Sequence, residues 1–327
     1  MAPKDRYGRP VDYLRLSVTD RCNLRCFYCM PPHGVPFIPH EGVLSYEEIE
    51  RLARLAISLG INKIRLTGGE PLVRREVLHL CEKIAGLPKL ESLSITTNGV
   101  LLPQFAQHLF NAGIRRLNVS LDTLNPEKYA AITGKSHFFQ VWEGLHQALV
   151  IGFNPIKLNV VVMRGVNDDE INELASLTYT YPFHVRFIEL MQSQPGIQER
   201  HFLAGGEIIR RLEQTDALLP AHSKHSNGPA RYYRFPGAAG KIGLITPLSQ
   251  HFCPTCNRLR LSADGKLRSC LFSPEEVDLK SLLRRGAADG EILAAIRRAI
   301  WNKPQEHALH GDISGRCLSR PMSAIGG

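Results

Sequence analysis

The sequence predicts an α/β protein, a parallel sheet formed as a partial barrel or a doubly wound sheet, followed by a smaller appended region. Two observations predict it. Between residues 12 and about 190, short β-branched runs alternate six times with longer amphipathic ones, and such alternation implies parallel strands whose crossovers carry helices. After about residue 195 the rhythm breaks into short strands interrupted by Gly and Pro. Six units fall short of a closed eight-unit barrel. In either architecture, ligands gather at the carboxyl ends of the strands.

The predicted strands are 13–18 (YLRLSV), 63–67 (KIRLT), 93–97 (LSITT), 116–121 (RLNVSL), 157–163 (KLNVVVM) and 184–190 (HVRFIEL). Helical patterns fill 45–59, 73–85, 101–112, 139–150 and 168–177. In the first, Ile49, Leu52, Ala53, Ala56 and Leu59 recur at helical spacing. Ser45 precedes them as N-cap, with Glu48 three residues on to complete a capping box. Residues 216–265 read as short strands, and 251–270 as a cysteine-rich segment. Helices at about 278–284 and 290–302 and a Gly/Ser-rich end close the chain.

Chemically unusual residues fall at the predicted carboxyl ends. A cysteine triplet follows the first strand, TGGEP the second and TTNG the third, and Ser120 and Asp122 close the fourth. The chain carries a net charge of +9 without a basic tail. That spread suits a solvated surface or a pocket for an anionic substrate better than nucleic-acid binding. No apolar run approaches the roughly 18 residues of a membrane span, and no signal-peptide core precedes the first strand. A reducing, cytoplasmic setting is expected, where cysteine clusters read as metal or redox sites.

Six of the eight cysteines form two triplets. Cys22, Cys26 and Cys29 are spaced C-x3-C-x2-C, and Cys253, Cys256 and Cys270 are spaced C-x2-C-x13-C. Soft thiolates in sets of three suit iron–sulfur clusters or zinc. His251 offers a fourth ligand for a Cys3His zinc site at the second triplet. At the first, His33 lies past a Pro-Pro pair. A four-iron cluster on three cysteines instead leaves one iron open to a ligand. Cys81 shares a helical face with Val77, Leu80 and Ile84 and reads as core, and Cys317 has no partner spacing. TGKS at 133–136 is not the end of a P-loop, because the glycine required five residues before Gly134 is Tyr129.

The first triplet, with Tyr28 before its last cysteine, resembles the signature of radical S-adenosylmethionine (SAM) enzymes, and GGEP at 68–71 supports it. Within that superfamily DRCNLRCFYCMP, IRLTGGEPLVR, TTNG, CPTCNRLRLSADGKLRSCLF and the final MSAIGG are similar to the GTP cyclases of molybdenum cofactor synthesis. The resemblance runs from about residue 5 to 327. It implies a partial (βα)6 TIM-type barrel over 1–200, with a C-terminal α+β region over 201–327 that closes the barrel mouth. It further implies two [4Fe–4S] clusters, on Cys22, Cys26 and Cys29 and on Cys253, Cys256 and Cys270. SAM contacts carry over to Tyr28, Gly69, Ser120 and Met191, with Gly69 expected to let its backbone approach the methionine moiety. GTP contacts carry over to Arg15, Arg65, Thr96, Lys157, Arg258, Leu259 and Arg260. Arg15, Gly326 and Gly327 match catalytic positions.

The implied reaction is cleavage of SAM to a 5′-deoxyadenosyl radical, hydrogen abstraction from C3′ of GTP, and attack of the sugar radical on C8 of guanine. The implied partners are a flavodoxin- or ferredoxin-type electron donor, the next enzyme of molybdopterin synthesis and a second copy in a homodimer, with neither nucleic acid nor membrane. An alternative keeps the radical SAM core and makes the C-terminal region an auxiliary-cluster module acting on a peptide or another substrate. A zinc-stabilised binding protein is the non-enzymatic alternative.

Overall fold

Six parallel strands lie in chain order at the centre of the fold: β1 (Tyr13–Ser17), β2 (Lys63–Thr67), β3 (Ser92–Thr97), β4 (Arg116–Ser120), β5 (Ile156–Val162) and β6 (His184–Glu189). The computed structural model describes residues 1–31, 34–191, 196–221, 228–307, 320 and 322–325. All six predicted strands are present, with ends shifted by at most one residue. The crossovers carry α1 (Tyr46–Ser58), α2 (Val77–Ala85), α3 (Leu102–Asn111), α4 (Pro126–Thr133), α5 (Phe138–Ile151) and α6 (Ile171–Thr180). The predicted capping box is formed: Ser45 Oγ accepts from Glu48 N at 3.2 Å, and Glu48 Oε2 accepts from Ser45 N at 2.7 Å.

The helix expected from residue 168 begins at Ile171, helices at Ile197–His201 and Gly205–Leu212 were not expected, and two further differences have a clear local cause. The helix expected from residue 73 begins at Val77, because Pro71–Val73 forms a separate 3-10 turn whose amide at Leu72 is capped by Glu70. The unpredicted α4 starts behind Asn125, which caps Glu127 and Lys128, with Pro126 at its first position. Gly134 is the C-cap of α4 at φ 71°. TGKS therefore ends a helix, whereas a P-loop opens one.

Residues beyond β6 form α7 (Ile197–His201), α8 (Gly205–Leu212), β7 (Leu219–Pro220), β8 (Arg231–Arg234), β9 (Lys241–Ile245), β10 (Arg258–Leu261), β11 (Lys266–Arg268), β12 (Val277–Asp278), α9 (Leu279–Arg284), α10 (Asp289–Trp301) and the short α11 (Met322–Ile325). They extend the sheet at both ends. β10 pairs parallel with β1, and β9 pairs parallel with β6. Antiparallel strands then follow outward on each side, giving an open twelve-stranded sheet in the order β12-β11-β10-β1-β2-β3-β4-β5-β6-β9-β8-β7. The appended region thus flanks the partial barrel laterally.

A strand's side chains alternate between faces, and here the two faces differ in chemistry. Leu14, Leu16, Ile64, Leu66, Ile95, Leu117, Val119, Leu158, Val160, Leu259 and Leu261 are buried in one hydrophobic core with Ile49, Leu52, Leu80, Ile84, Leu109 and Leu145 of the helices. Burying each such Leu or Ile contributes about 1.5–3 kcal/mol. The opposite face carries the polar residues of the same strands. Among the described residues no helix is long and apolar enough to cross a membrane.

Ser45→Ala should remove half of the capping box and lower unfolding stability by about 1 kcal/mol, read as a fall in denaturation midpoint.

Candidate active site

One cavity opens at the polar face, lined by Cys22, Cys26 and Cys29 on one side and Cys253, Cys256 and Cys270 on the other. The first triplet follows β1 in a loop held from two directions. Arg25 N and Phe27 N donate to Thr133 O and Ile132 O at the end of α4, at 2.8 and 3.1 Å. Gly69 N and Glu70 N donate to Thr19 O and Arg21 O, both at 2.8 Å. Cys29 N returns to Cys26 O at 3.0 Å, a turn that draws those two thiols together. Burial pushes the Cys22 and Cys26 thiols up, and for Cys26 the neighbouring Cys29 and Asp122 add to it.

Gly69 is required by backbone packing within the chain itself. A Cβ there would lie 2.4 Å from Arg21 O and 2.7 Å from its carbonyl carbon, so the vacant space is filled by the chain's own cysteine loop. Gly68 is in the same position against Thr19 O, again at 2.4 Å, with φ at 151°. The two glycines let the loop after β2 lie flat against the triplet loop.

Buried carboxylates frame this end. Tyr28 Oη donates to Asp122 Oδ2 at 2.7 Å, and Val161 N donates to Asp122 Oδ1 at 2.8 Å. Burial lifts Asp122 to about 6 against those hydrogen bonds. Glu70 is fully buried and raised to about 7 by burial, although it accepts from Asn98 N, Leu72 N and Thr97 Oγ1. Asn98 Nδ2 also donates to Asn23 Oδ1 at 2.7 Å, which ties the TTNG turn to the triplet loop.

The middle of the cavity is cationic. Cross-strand pairing sets Arg260, Arg15 and Arg65 in one row on β10, β1 and β2. Burial and then its neighbours Arg260 and Arg65 hold Arg15 well below the usual guanidinium range. Burial, followed by Arg258, brings Arg260 down to about 10. Lys157 on β5 falls to about 6, through burial first and then Arg186, Arg65 and Arg116. Lys63, Arg116, Arg186 and Arg258 line the same cavity, where the carboxylates are Asp122 and Glu189. Arg186 is held by Asn118 Oδ1 at 2.7 Å and by Asn159. Thr96 Oγ1 is buried here without a hydrogen-bond partner among the described residues.

At the far side Cys256 N closes a turn on Cys253 O at 3.1 Å, and Arg258 Nη2 stands 3.6 Å from Cys256 Sγ. Burial opposes ionisation of Cys256, but Arg258 and Lys303 outweigh it and bring the thiol down to about 6. Arg9 binds Cys253 O, Gln305 O and Pro304 O at 2.6–2.7 Å while paired with Asp5. His251 Nε2 stands 3.6 Å from Glu306 Oε2, and its ring packs on His307. Among the described residues no three His, Cys, Asp or Glu side chains are grouped to hold a single metal ion.

The structure gathers Arg15, Tyr28, Arg65, Gly69, Thr96, Ser120, Lys157, Met191, Arg258 and Arg260 around the cavity with both triplets. The side chain of Leu259 lies in the core on the opposite face. Gly326 and Gly327 lie outside the described residues, although Met322 of α11 lines the cavity. Cys81 is a core residue, its thiol raised to about 12 by burial. Lys63, Arg116 and Arg186 escaped the sequence reading, which noted Asp122 and the Glu70 of TGGEP without giving them a role. The signal of the three cations was alternation in KIRLT, RLNVS and HVRF, since strands of a parallel sheet covered on both faces read as continuous apolar runs.

Residues 16–178 match the family model of the radical SAM superfamily, and residues 183–309 that of Molybdenum Cofactor Synthesis C. A GTP 3′,8-cyclase of Pelotomaculum thermopropionicum is 48% identical over 99% of this chain and 100% of its own length. The chain belongs to the GTP 3′,8-cyclase family. Family relatives from Moorella thermoacetica (47% identical, 99% of this chain and 100% of that one) and Desulforamulus reducens (48%, 99% of each) align equally fully. Among solved structures, Streptococcus suis SuiB bound to S-adenosylmethionine superposes with a TM-score of 0.59. It covers 88% of this chain and 69% of that one at 15% identity, a likeness of fold.

Gly69→Ala must push the Arg21 carbonyl away from β2. The expected cost is about 1–3 kcal/mol of stability, read by thermal denaturation.

Proposed function

We propose that the protein is a radical SAM GTP 3′,8-cyclase, a lyase that forms (8S)-3′,8-cyclo-7,8-dihydroguanosine 5′-triphosphate in molybdenum cofactor synthesis. One observation carries this reading. Two sets of three thiols face each other across a cavity whose middle is lined by Arg and Lys residues. Three cysteine thiols per site, none in a disulfide among the described residues, suit four-iron clusters that keep one iron open. The cation surplus suits a triphosphate.

In this reading Cys22, Cys26 and Cys29 hold the first cluster, and Tyr28, Gly69, Ser120 and Met191 contact SAM. When bound, cluster and SAM supply the 5′-deoxyadenosyl radical that takes hydrogen from C3′ of GTP. The chain's own residues bind and orient. Arg15, Arg65, Arg258 and Arg260 grip phosphate oxygens, for which the guanidinium fork gives bidentate hydrogen bonds. Thr96 Oγ1 gains the partner it lacks. Lys157 adds charge on the opposite wall. Leu259 takes part through its backbone alone, because its side chain is in the core. Holding base and sugar between the two triplets fixes the reacting carbons, and such positioning is worth roughly 7–11 kcal/mol. Gly326 and Gly327, with Arg15, are assigned catalytic parts on the family resemblance alone. A flavodoxin- or ferredoxin-type donor supplies the electron, the product passes to the next molybdopterin enzyme, and the protein works in the cytoplasm as a homodimer.

Anaerobic reconstitution with iron and sulfide, then incubation with SAM, GTP and reductant, tests the reading. About eight irons per chain and GTP-dependent 5′-deoxyadenosine are expected. Stoichiometric zinc, or deoxyadenosine formation indifferent to GTP, contradicts it. Cys253→Ala should retain reductive SAM cleavage at the first site and lose GTP turnover; normal product formation would remove the second triplet from the substrate site.

Lys157 gives the binding step a pH dependence. It is neutral in the free protein above about pH 6, and phosphate contact raises its pKa. Binding therefore takes up a proton above about pH 6, and affinity falls as pH rises toward the bound-state value. Calorimetry at about pH 7.5 in two buffers of different ionisation enthalpy should show proton uptake near one per GTP. The uptake should vanish in Lys157→Met, and unchanged uptake in that variant would refute the assignment.

A further inference from the structure

Lys303 follows the C-terminal turn of α10 and is 2% exposed. A buried ammonium is costly unless an anion or a full set of acceptors meets it. Its Nζ donates to Arg258 O at 3.0 Å and to Ser269 O. Those carbonyls belong to the residue two past Cys256 and the residue just before Cys270. Among the described residues Lys303 forms no ion pair with a carboxylate. Burial, and to a lesser degree Arg258, lowers its pKa, and the thiols of Cys256 and Cys270, with a hydrogen bond to Cys256, act in the opposite direction. Carbonyls orient the ammonium but carry no net charge, so the charge itself is answered only by those sulfurs.

The two triplets differ sharply in this respect. Near the first, the buried ionisable groups are carboxylic: Glu70 acts on Cys22 and Asp122 on Cys26. Near the second, a buried lysine and the Arg258 guanidinium approach Cys256. The chain has placed opposite signs of charge beside two otherwise similar sets of ligands.

We propose that Lys303 is the internal counter-cation of the second thiolate triplet, favouring the reduced form of the cluster held there. The proposal rests on the reading that Cys253, Cys256 and Cys270 hold a four-iron cluster. One-electron reduction makes such a cluster more negative by one unit. A fixed cation inside the protein stabilises that form and raises the midpoint potential, one of the levers by which proteins set cluster potentials. Because Lys303 is buried, the effect persists at ionic strengths that erase surface electrostatics. Lys303 is thus a positioning and tuning residue, with no contact to GTP required of it.

The test is a potentiometric titration followed by electron paramagnetic resonance on the anaerobically reconstituted full chain, as wild type, Lys303→Met and Lys303→Arg. In Lys303→Met the second cluster's midpoint potential should move to more negative values, equally at low and high salt, while the first cluster's stays at the wild-type value. Lys303→Arg, which keeps the charge, should stay close to wild type. An unshifted second cluster in Lys303→Met overturns the proposal, as does an equal shift in both variants, which would mark a packing effect. If Lys303→Met loses the second cluster altogether, retention in Lys303→Arg supports the proposal and loss in both overturns it. A wild-type chain that takes up only about four irons fails differently, because the two-cluster reading then falls before the lysine is tested.

Discussion

Like charges in register across a parallel sheet are the constraint on which this structure turns. Arg260, Arg15 and Arg65 occupy one cross-strand row, where neighbouring backbones are only about 4.8 Å apart. Such a row is unfavourable by itself. It persists because the other face of the same strands is a continuous hydrophobic layer running from Leu14 and Leu259 through Val160. Shifting any of these strands by one residue would bury guanidiniums among leucines, so the arginine row and the core fix the register together. What remains is a concave surface with a standing surplus of positive charge, ready for a polyanion.

Both cysteine loops are positioned by this sheet rather than by their own sequences. The first follows β1 and lies against the turn after β2, where Gly68 and Gly69 allow backbone contact. The second precedes and follows β10, the strand paired with that same β1. The two loops therefore share a neighbour, and the strand between them carries Arg15. Around them burial moves protons in opposite directions: it lifts Asp122 and Glu70 and lowers Lys157. His184, beside Lys157 in the pairing of β5 and β6, is held at about 3 by burial and then by Lys157, Lys241, Arg186 and Arg234.

Much of this was legible in the sequence, for identifiable reasons. Six strands and their crossover helices follow from periodicity, and Ser45 with Glu48 announced the start of α1. The cysteine spacings and GGEP announced the chemistry. The cationic wall was only partly legible. Lys63, Arg116 and Arg186 look like solvated strand charges until the sheet curves them around one space. Lys303 and Arg9 were invisible because their partners include backbone carbonyls 34 to 296 residues away, which no local pattern encodes. The crowding at Gly69 was not legible because a glycine shows that a side chain is excluded without showing what excludes it.

The sheet's two ends also order events during synthesis. β1 is among the first elements made, yet one of its edges stays open until β10, more than 240 residues later, arrives to pair with it. Arg9 likewise waits for the carbonyls of Pro304 and Gln305. The first cysteine loop is placed by β1, the turn after β2 and the end of α4, whereas the second is placed by contacts that span most of the sequence. The fold is therefore closed as a clasp, with the segment around Arg9 held by the segment around Pro304.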